Sequence, residues 1–246
     1  MSYFKDQAKL YAEFRPDYPA ALFTFIAGLS PRRHLALDCA TGNGQAAVGL
    51  AEHFDRVIAI DSSAEQIAHA RPHARIEYRV ASAEQSEVSD ACVDVVTVMQ
   101  AMHWFDFDRF YREVRRVAAP GAAIVITVYG EAVLETPELN ARLLHYNKRI
   151  VGPYWPPERS MVDDHYRTVP FPFEELPTPA LTLERHWRLE ELAGYLRSWS
   201  ATVRFAKHNR RDPVIQFEDE IRTQWGEPQR TRLVQWPFIS RAGRVS

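Results

Sequence analysis

Leu37-Asp38-Cys39-Ala40-Thr41-Gly42-Asn43-Gly44-Gln45, read together with Asp61, decides the fold of this chain. The apolar run over 35–39 has the length of a buried strand, and it breaks into Gly42 and Gly44. Glycine turns the backbone tightly and lets a ligand approach with no Cβ in the way, and in open α/β sheets ligands sit at the carboxyl ends of the strands. A second apolar run, 57–61, closes on Asp61, seventeen residues after Gly44 and so one helix plus one strand further on. An acid at that point accepts hydrogen bonds from both hydroxyls of a ribose. Together the two stretches place a nucleoside at the first two strands.

The alternation continues outward. Helices are expected over 46–54, 64–71 and 107–118, the second stopped by Pro72, and strands over 75–80, 93–99 and 122–129, the last entered by Pro120-Gly121. This period predicts the α/β class: a doubly wound, Rossmann-like, seven-stranded, mostly parallel sheet with helices on both faces. The run Val93, Val95, Val96, Val98 suits a strand covered on both sides. Beyond Gly130 the texture changes, with seven of the sixteen prolines in 153–179 and five of the six tryptophans after residue 150. A helix over 137–150 leads into Tyr154-Trp155-Pro156-Pro157, followed by a strand over 180–188, helices over 189–200 and 214–225, and a strand over 231–239. The expected division is an N-terminal lid segment (1–34), a cofactor-binding core (35–130), a small aromatic and Pro-rich cap insertion (131–179), and a completion of sheet and cap (180–246).

Composition removes several classes. The 246 residues are 46% hydrophobic and 25% charged, which supplies a core and excludes a disordered chain. Basic and acidic residues number 13 and 16 in 1–130 and 17 and 16 beyond, so neither half advertises a nucleic-acid partner. Cys39 and Cys92 stand in no metal-binding spacing, the first ten residues lack a signal-peptide apolar region, and no window reaches the ~18 apolar residues of a spanning helix. A cytoplasmic protein with no metal, no membrane partner and no nucleic acid is expected, as a monomer or homodimer.

Residues 42–47 also satisfy the dinucleotide fingerprint G-x-G-x-x-A, which leaves a nucleotide-dependent oxidoreductase open. Asp38 opposes it, because it places a negative charge where a pyrophosphate needs only donors. An acid there suits a cationic cofactor with an ammonium and a sulfonium, S-adenosylmethionine, released as S-adenosylhomocysteine.

The chain resembles the class I S-adenosylmethionine-dependent methyltransferases of type 11, in particular the trans-aconitate methyltransferase subgroup. The resemblance is carried by Asp38, Gly42 and Gly44, by Asp61, by Gln100-Ala101-Met102-His103-Trp104-Phe105-Asp106, by Arg116-Val117-Ala118-Ala119-Pro120-Gly121, and by the N-terminal 11–19 segment with its Arg15-Pro16. Ala40 departs from the first glycine of the motif, and Ser82 from its adenine-side aspartate. The resemblance implies a cofactor site of Asp38, Ala40, Thr41, Gly42, Gly44, Asp61, Ser62, Ser82, Ala83, Glu84, Gln100 and Ala101. Substrate-pocket candidates are Tyr11, Arg15, Tyr18, Trp104, Tyr129, Tyr154, Trp155 and Trp199, with His103 as the candidate catalytic group, a general base or a donor to an acid substrate.

Plainer readings stand beside these. Asp61 also serves as a helix cap, with Ser62 or Ser63 as substitutes. A histidine beside Trp104 and Phe105 is often a packed core residue, Tyr154, Trp155 and Trp199 equally form a cap core, and the 11–19 segment equally forms an anchored arm. The expected activity is methyl transfer to a small acceptor, a carboxylate or a hydroxyl. The alternatives are the oxidoreductase, a non-catalytic S-adenosylmethionine-binding protein and a nucleic-acid methyltransferase; the last lacks an Asn-Pro-Pro-Tyr or Asp-Pro-Pro-Tyr motif.

Overall fold

The structure is a computed structural model that describes Phe14 and residues 16–245. The chain divides into two compact units, the larger built from 17–130, 160–181 and the residues from 238 on, the smaller from 131–159 and 182–237 together with Phe14 and Pro16.

In the larger unit β1 (Leu35–Cys39), β2 (Arg56–Asp61), β3 (Ile76–Val80), β4 (Val93–Met99) and β5 (Ala118–Tyr129) run parallel in the order β3-β2-β1-β4-β5. Strand order reverses beside β1, which pairs with β2 on one side and β4 on the other. The Asp38–Gly44 loop therefore opens at a topological switch point, where this class of sheet binds ligands. All seven residues of β4 are buried, so its near-continuous apolar run reports cover on both faces.

The helices of this unit are α1 (Ala20–Leu29), α2 (Gln45–Ala51), α3 (Ala64–Ala68) and α4 (Phe107–Val117). Leu22, Phe23, Ile26 and Ala27 of α1 are buried, although that stretch lies in the expected lid segment. Helix α3 stops at Ala68, three residues short of expectation. Pro72 disfavours helical geometry in the residue before it, and the Arg71 amide instead donates to Asn43 O at 3.0 Å, joining the glycine loop.

The smaller unit holds β6 (Val133–Leu134), α5 (Pro137–His145) continued by a π-helical turn (Tyr146–Ile150), α7 (Leu189–Arg197), α8 (Ser200–Asn209) and α9 (Pro213–Trp225). A further short helix, α6 (Arg159–Asp163), and β7 (Glu174–Leu176), β8 (Leu181–Trp187) and β9 (Arg232–Arg244) complete the chain. Residues 238–244 of β9 pair antiparallel with β5, and Val234 and Gln235 pair with β6.

The expected α/β architecture is present, with nine strands rather than seven among the described residues. The additions β6 and β7 are two and three residues long, too short to carry a periodicity. Helix α8, also unforeseen, buries Ala201, Thr202, Phe205 and Ala206 at helical spacing.

Candidate functional site

The carboxylate of Asp38 is buried at the end of β1. Its Oδ2 accepts from the Thr41 hydroxyl at 2.6 Å and its Oδ1 from the Thr97 hydroxyl at 2.8 Å. Burial pushes its pKa up to about 6 in spite of those two bonds, and the charge of Asp61 adds to the rise. Ala40 follows in the left-handed region at φ 54°, then Gly42 at 58° and Gly44 at 81°. The Thr41 amide donates to Ile60 O and the Gly42 amide to Asp61 Oδ2, both at 2.9 Å, so the loop after β1 is tied to the end of β2.

Asp61 is not the helix cap. Ser63 caps α3, its Oγ accepting from the Gln66 amide at 3.3 Å, while Asp61 Oδ1 accepts from the Ser63 amide at 2.8 Å and Ser62 is exposed beside it. A Cβ on Gly44 would stand 2.1 Å from the Tyr78 hydroxyl. Tyr78, on β3, donates that hydroxyl to Arg71 O at 2.7 Å, and burial pushes its pKa up to about 12. A Cβ on Gly42, by contrast, would meet nothing closer than Gln66 Oε1 at 3.9 Å, so the loop is open there.

Ser82, Ala83 and Glu84 form a turn after β3, with the Gln85 amide donating to Ser82 O at 3.2 Å. Glu84 Oε1 accepts from the Asp106 amide at 3.1 Å, which ties this turn to the start of α4. Gln100, at φ 57°, donates Nε2 to Tyr129 O at 3.2 Å and accepts at Oε1 from Tyr129 N at 2.7 Å. Its amide thereby laces the end of β4 to the end of β5, with Ala101 buried next to it and the Tyr129 side chain 5% exposed.

His103 sits in the short 3-10 turn Met102–Trp104, its Nδ1 2.7 Å from the Tyr166 hydroxyl and its ring 4.7 Å from that of Trp104, which is 56% exposed. Tyr166 is 1% exposed, and both it and His165 adopt left-handed backbone, φ 57° and 54°. Arg241 holds that bend by donating Nη1 to Tyr166 O at 3.2 Å and to Val169 O at 2.9 Å. Two successive non-glycine residues there persist only where their surroundings over-determine them. The Tyr18 ring packs tilted against that of Phe238, centroids 6.2 Å apart. Tyr11 and Arg15 lie outside the described residues.

In the smaller unit Trp155 and Trp199 pack with ring centroids 5.4 Å apart, and Tyr154 packs on Phe205 at 5.1 Å while accepting from Asn209 Nδ2 at 2.8 Å. The core set from Asp38 to Gln100 is thus gathered at the carboxyl ends of β1 to β4. Thr97, Tyr78 and Tyr166 were absent from the sequence reading. Thr97 leaves a signal, a hydroxyl inside an otherwise apolar strand, whereas Tyr166 leaves none.

Residues 37–126 match the model of a methyltransferase domain family. A "Putative methyltransferase" of Dictyostelium discoideum is 33% identical over 87% of this chain and 82% of its own length. The chain belongs to the class I S-adenosylmethionine-dependent methyltransferases. A solved "Putative Type II Methyltransferase" from Anaeromyxobacter dehalogenans is 44% identical to this methyltransferase, with a TM-score of 0.87 over 94% of this chain and 98% of that one. A ubiquinone/menaquinone biosynthesis C-methyltransferase of Rubrivivax gelatinosus is 36% identical over 40% of each chain. None of these matches singles out the trans-aconitate subgroup.

The residues of this methyltransferase fit S-adenosylmethionine. Among the described residues neither Asp38 nor Asp61 has a cationic side chain as partner; hydroxyls and backbone amides alone serve them. Two neighbouring acids left in that state suit a ligand that brings its own positive charge and a ribose diol. Among the described residues no three His, Cys, Asp or Glu side chains stand close enough to hold a metal ion, and no helix is long and apolar enough to cross a membrane.

Proposed function

We propose that this methyltransferase moves the methyl group to an oxygen of a small molecule, a carboxylate or a hydroxyl. The supporting observation is the pair of carboxylates, Asp38 and Asp61, at the switch point with no cationic partner among the described residues. In this reading Asp38, Ala40, Thr41, Gly42 and Gly44 surround the amino-acid end of the cofactor, Asp61 with Ser62 takes the ribose, and Ser82, Ala83 and Glu84 the adenine. Gln100 acts from behind, keeping the ends of β4 and β5 together under Ala101. Bound S-adenosylmethionine supplies an electrophilic methyl on a sulfonium. The chain's own work is alignment of the acceptor at ~3–3.5 Å and exclusion of water.

A carboxylate acceptor reacts without a base. For a hydroxyl acceptor the proposed base is His103, whose ring meets the Tyr166 hydroxyl, with Tyr11, Tyr18 or Tyr129 as the alternative. Trp104, Tyr129 and Tyr18 are proposed as candidate acceptor residues, and so, independently, are Tyr154, Trp155 and Trp199. Balanced charge supports a small acceptor rather than a nucleic acid, and the unpaired Cys39 and Cys92 suit the reducing cytoplasm. The form expected is a monomer or homodimer.

Calorimetric titration with S-adenosylmethionine, S-adenosylhomocysteine and NADH tests the site. The expected result is binding of the first two and not of NADH; NADH binding alone would overturn the assignment and return the glycine loop to a dehydrogenase.

A further inference from the structure

His165 is half-buried, and among the described residues neither of its ring nitrogens is hydrogen-bonded or buried. The ring therefore presents a donor on one nitrogen and an acceptor on the other to a ligand or to water. Its position is nonetheless fixed. The backbone enters the left-handed region at φ 54° and its amide donates to Val162 O at 2.9 Å. The next residue, Tyr166, is held at φ 57°, with its hydroxyl on the His103 ring. Non-glycine residues in left-handed backbone collect at functional sites, where the surroundings over-determine them.

Gly130 shows what the ring approaches. This glycine is buried just past the end of β5 and is not one of the left-handed glycines, so its backbone has no need of glycine. A Cβ there would stand 2.6 Å from His165 Nε2 and 3.3 Å from Cδ2. The chain thus forgoes a side chain at the carboxyl end of a central strand where the imidazole lies. Gly130 follows Tyr129, which Gln100 ties to the end of β4, and β4 leads into the turn that carries His103. The carboxyl ends of the strands are where open α/β sheets bind their ligands. Asp164 and Glu131, the acids adjoining His165 and Gly130 in the chain, are ion-paired with Arg167 and Lys148, so neither is an uncompensated charge opposing an anion. We propose that His165 is an acceptor-binding residue whose ring N–H donates to a carboxylate oxygen of the methyl acceptor, which makes that acceptor a small molecule bearing a carboxylate. The assignment of the carboxylate to the acceptor rests on the methyltransferase reading above; the affinity of the ring for a carboxylate does not.

The test is a ¹H–¹⁵N NMR titration of the full-length protein, with and without saturating S-adenosylhomocysteine, that follows the His165 ring signals and the Gly130 backbone amide. Sodium acetate is the probe, with sodium chloride and methylguanidinium chloride at equal ionic strength as controls. Acetate should shift both signals saturably, with a dissociation constant on the order of millimolar for so small a ligand, and neither control should. His165→Asn tolerates left-handed backbone but is too short to carry a donor to the same place. In that variant the Gly130 shift should need roughly tenfold more acetate, the worth of one hydrogen bond, at an unchanged melting temperature. Gly130→Ala, which keeps the imidazole and drives it from its seat, should weaken acetate binding by a similar factor and provides the same reading should the first variant fold poorly. Absence of saturable shifts, an equal response to either control, or undiminished acetate binding in either variant would overturn the proposal and leave His165 a packing residue on Gly130. Failure to bind S-adenosylhomocysteine, with the acetate response intact, would instead count against the cofactor site.

Discussion

The Tyr166 hydroxyl lies 2.7 Å from His103 Nδ1 across a separation of 63 positions in sequence. A buried phenol at that distance fixes the orientation of the imidazole and selects which ring nitrogen carries the proton. The expectation is that His103→Ala lowers turnover of a hydroxyl acceptor about 100-fold, and that Tyr166→Phe lowers it by roughly a tenth of that factor while moving the acidic limb of the pH–rate profile, on which a general base must lose its proton to act. S-adenosylhomocysteine affinity should hold in both. Full turnover with an unmoved profile in both variants would reduce the pair to packing.

Asp61 accepts from the amides of Gly42 and Ser63, so it braces the loop as well as facing the proposed ribose. Asp61→Ala should weaken S-adenosylmethionine binding by about 10–100-fold, the worth of one charge-assisted hydrogen bond, and calorimetry reads it directly. Asp61→Asn should recover part of the loss, because one oxygen still accepts. Equal affinity in wild type and Asp61→Ala would remove Asp61 from the cofactor site.

Ala40 and Gly44 make opposite predictions at neighbouring turns of one loop. Ala40 sits at φ 54°, where a Cβ costs about 1–2 kcal/mol, so Ala40→Gly should raise the melting temperature by roughly 2–4 °C, less the entropy a glycine adds to the unfolded chain. Gly44→Ala must push the Tyr78 hydroxyl from 2.1 Å and should lower both stability and cofactor affinity. Thermal melts of the two variants settle the signs, and a more stable Gly44→Ala would contradict the packing.

Asp38 sets a pH dependence. Its pKa in the folded protein, raised to about 6 from the ordinary 3.8, means that the native state holds this proton more tightly than the unfolded chain does. Its contribution is most favourable below the unfolded value and is lost as pH rises from about 4 through 6, at a cost on the order of 2–3 kcal/mol at pH 7. Asp38→Asn should therefore be the more stable protein at pH 7 and equal to wild type near pH 4, while binding S-adenosylmethionine more weakly. Calorimetry at pH 6 in buffers of differing ionisation enthalpy should show proton release on cofactor binding, since a cation beside Asp38 lowers its pKa. Proton uptake, or a variant no more stable at pH 7, would place the cofactor's charge elsewhere.

Much of the larger unit was legible because its signals are local. An apolar run covered on both faces, glycines that need left-handed backbone, and an acid one helix and one strand later are all written within 37–61. Val93–Met99 emerged with both ends as expected, since a buried parallel strand leaves a continuous apolar stretch. The rest of the chain was harder to read: β6 and β7 are too short for periodicity, and α8 follows α7 so closely that the two read as one helix with a tail.

The sequence by itself determined the order of strands and helices from β1 to β5, the switch-point loop with Asp38 and Asp61, and the family of the cofactor site. Backbone conformation and strand burial depend on neighbours a few residues away, and such neighbours are visible in a string of letters. Only the tertiary structure decided that Gln100 braces β5, that Tyr78 closes over Gly44, that Tyr166 meets His103, and that His165 packs on Gly130. Those contacts join residues from separate turns, strands and helices. A hydrogen bond formed on folding leaves no periodicity in the chain that makes it.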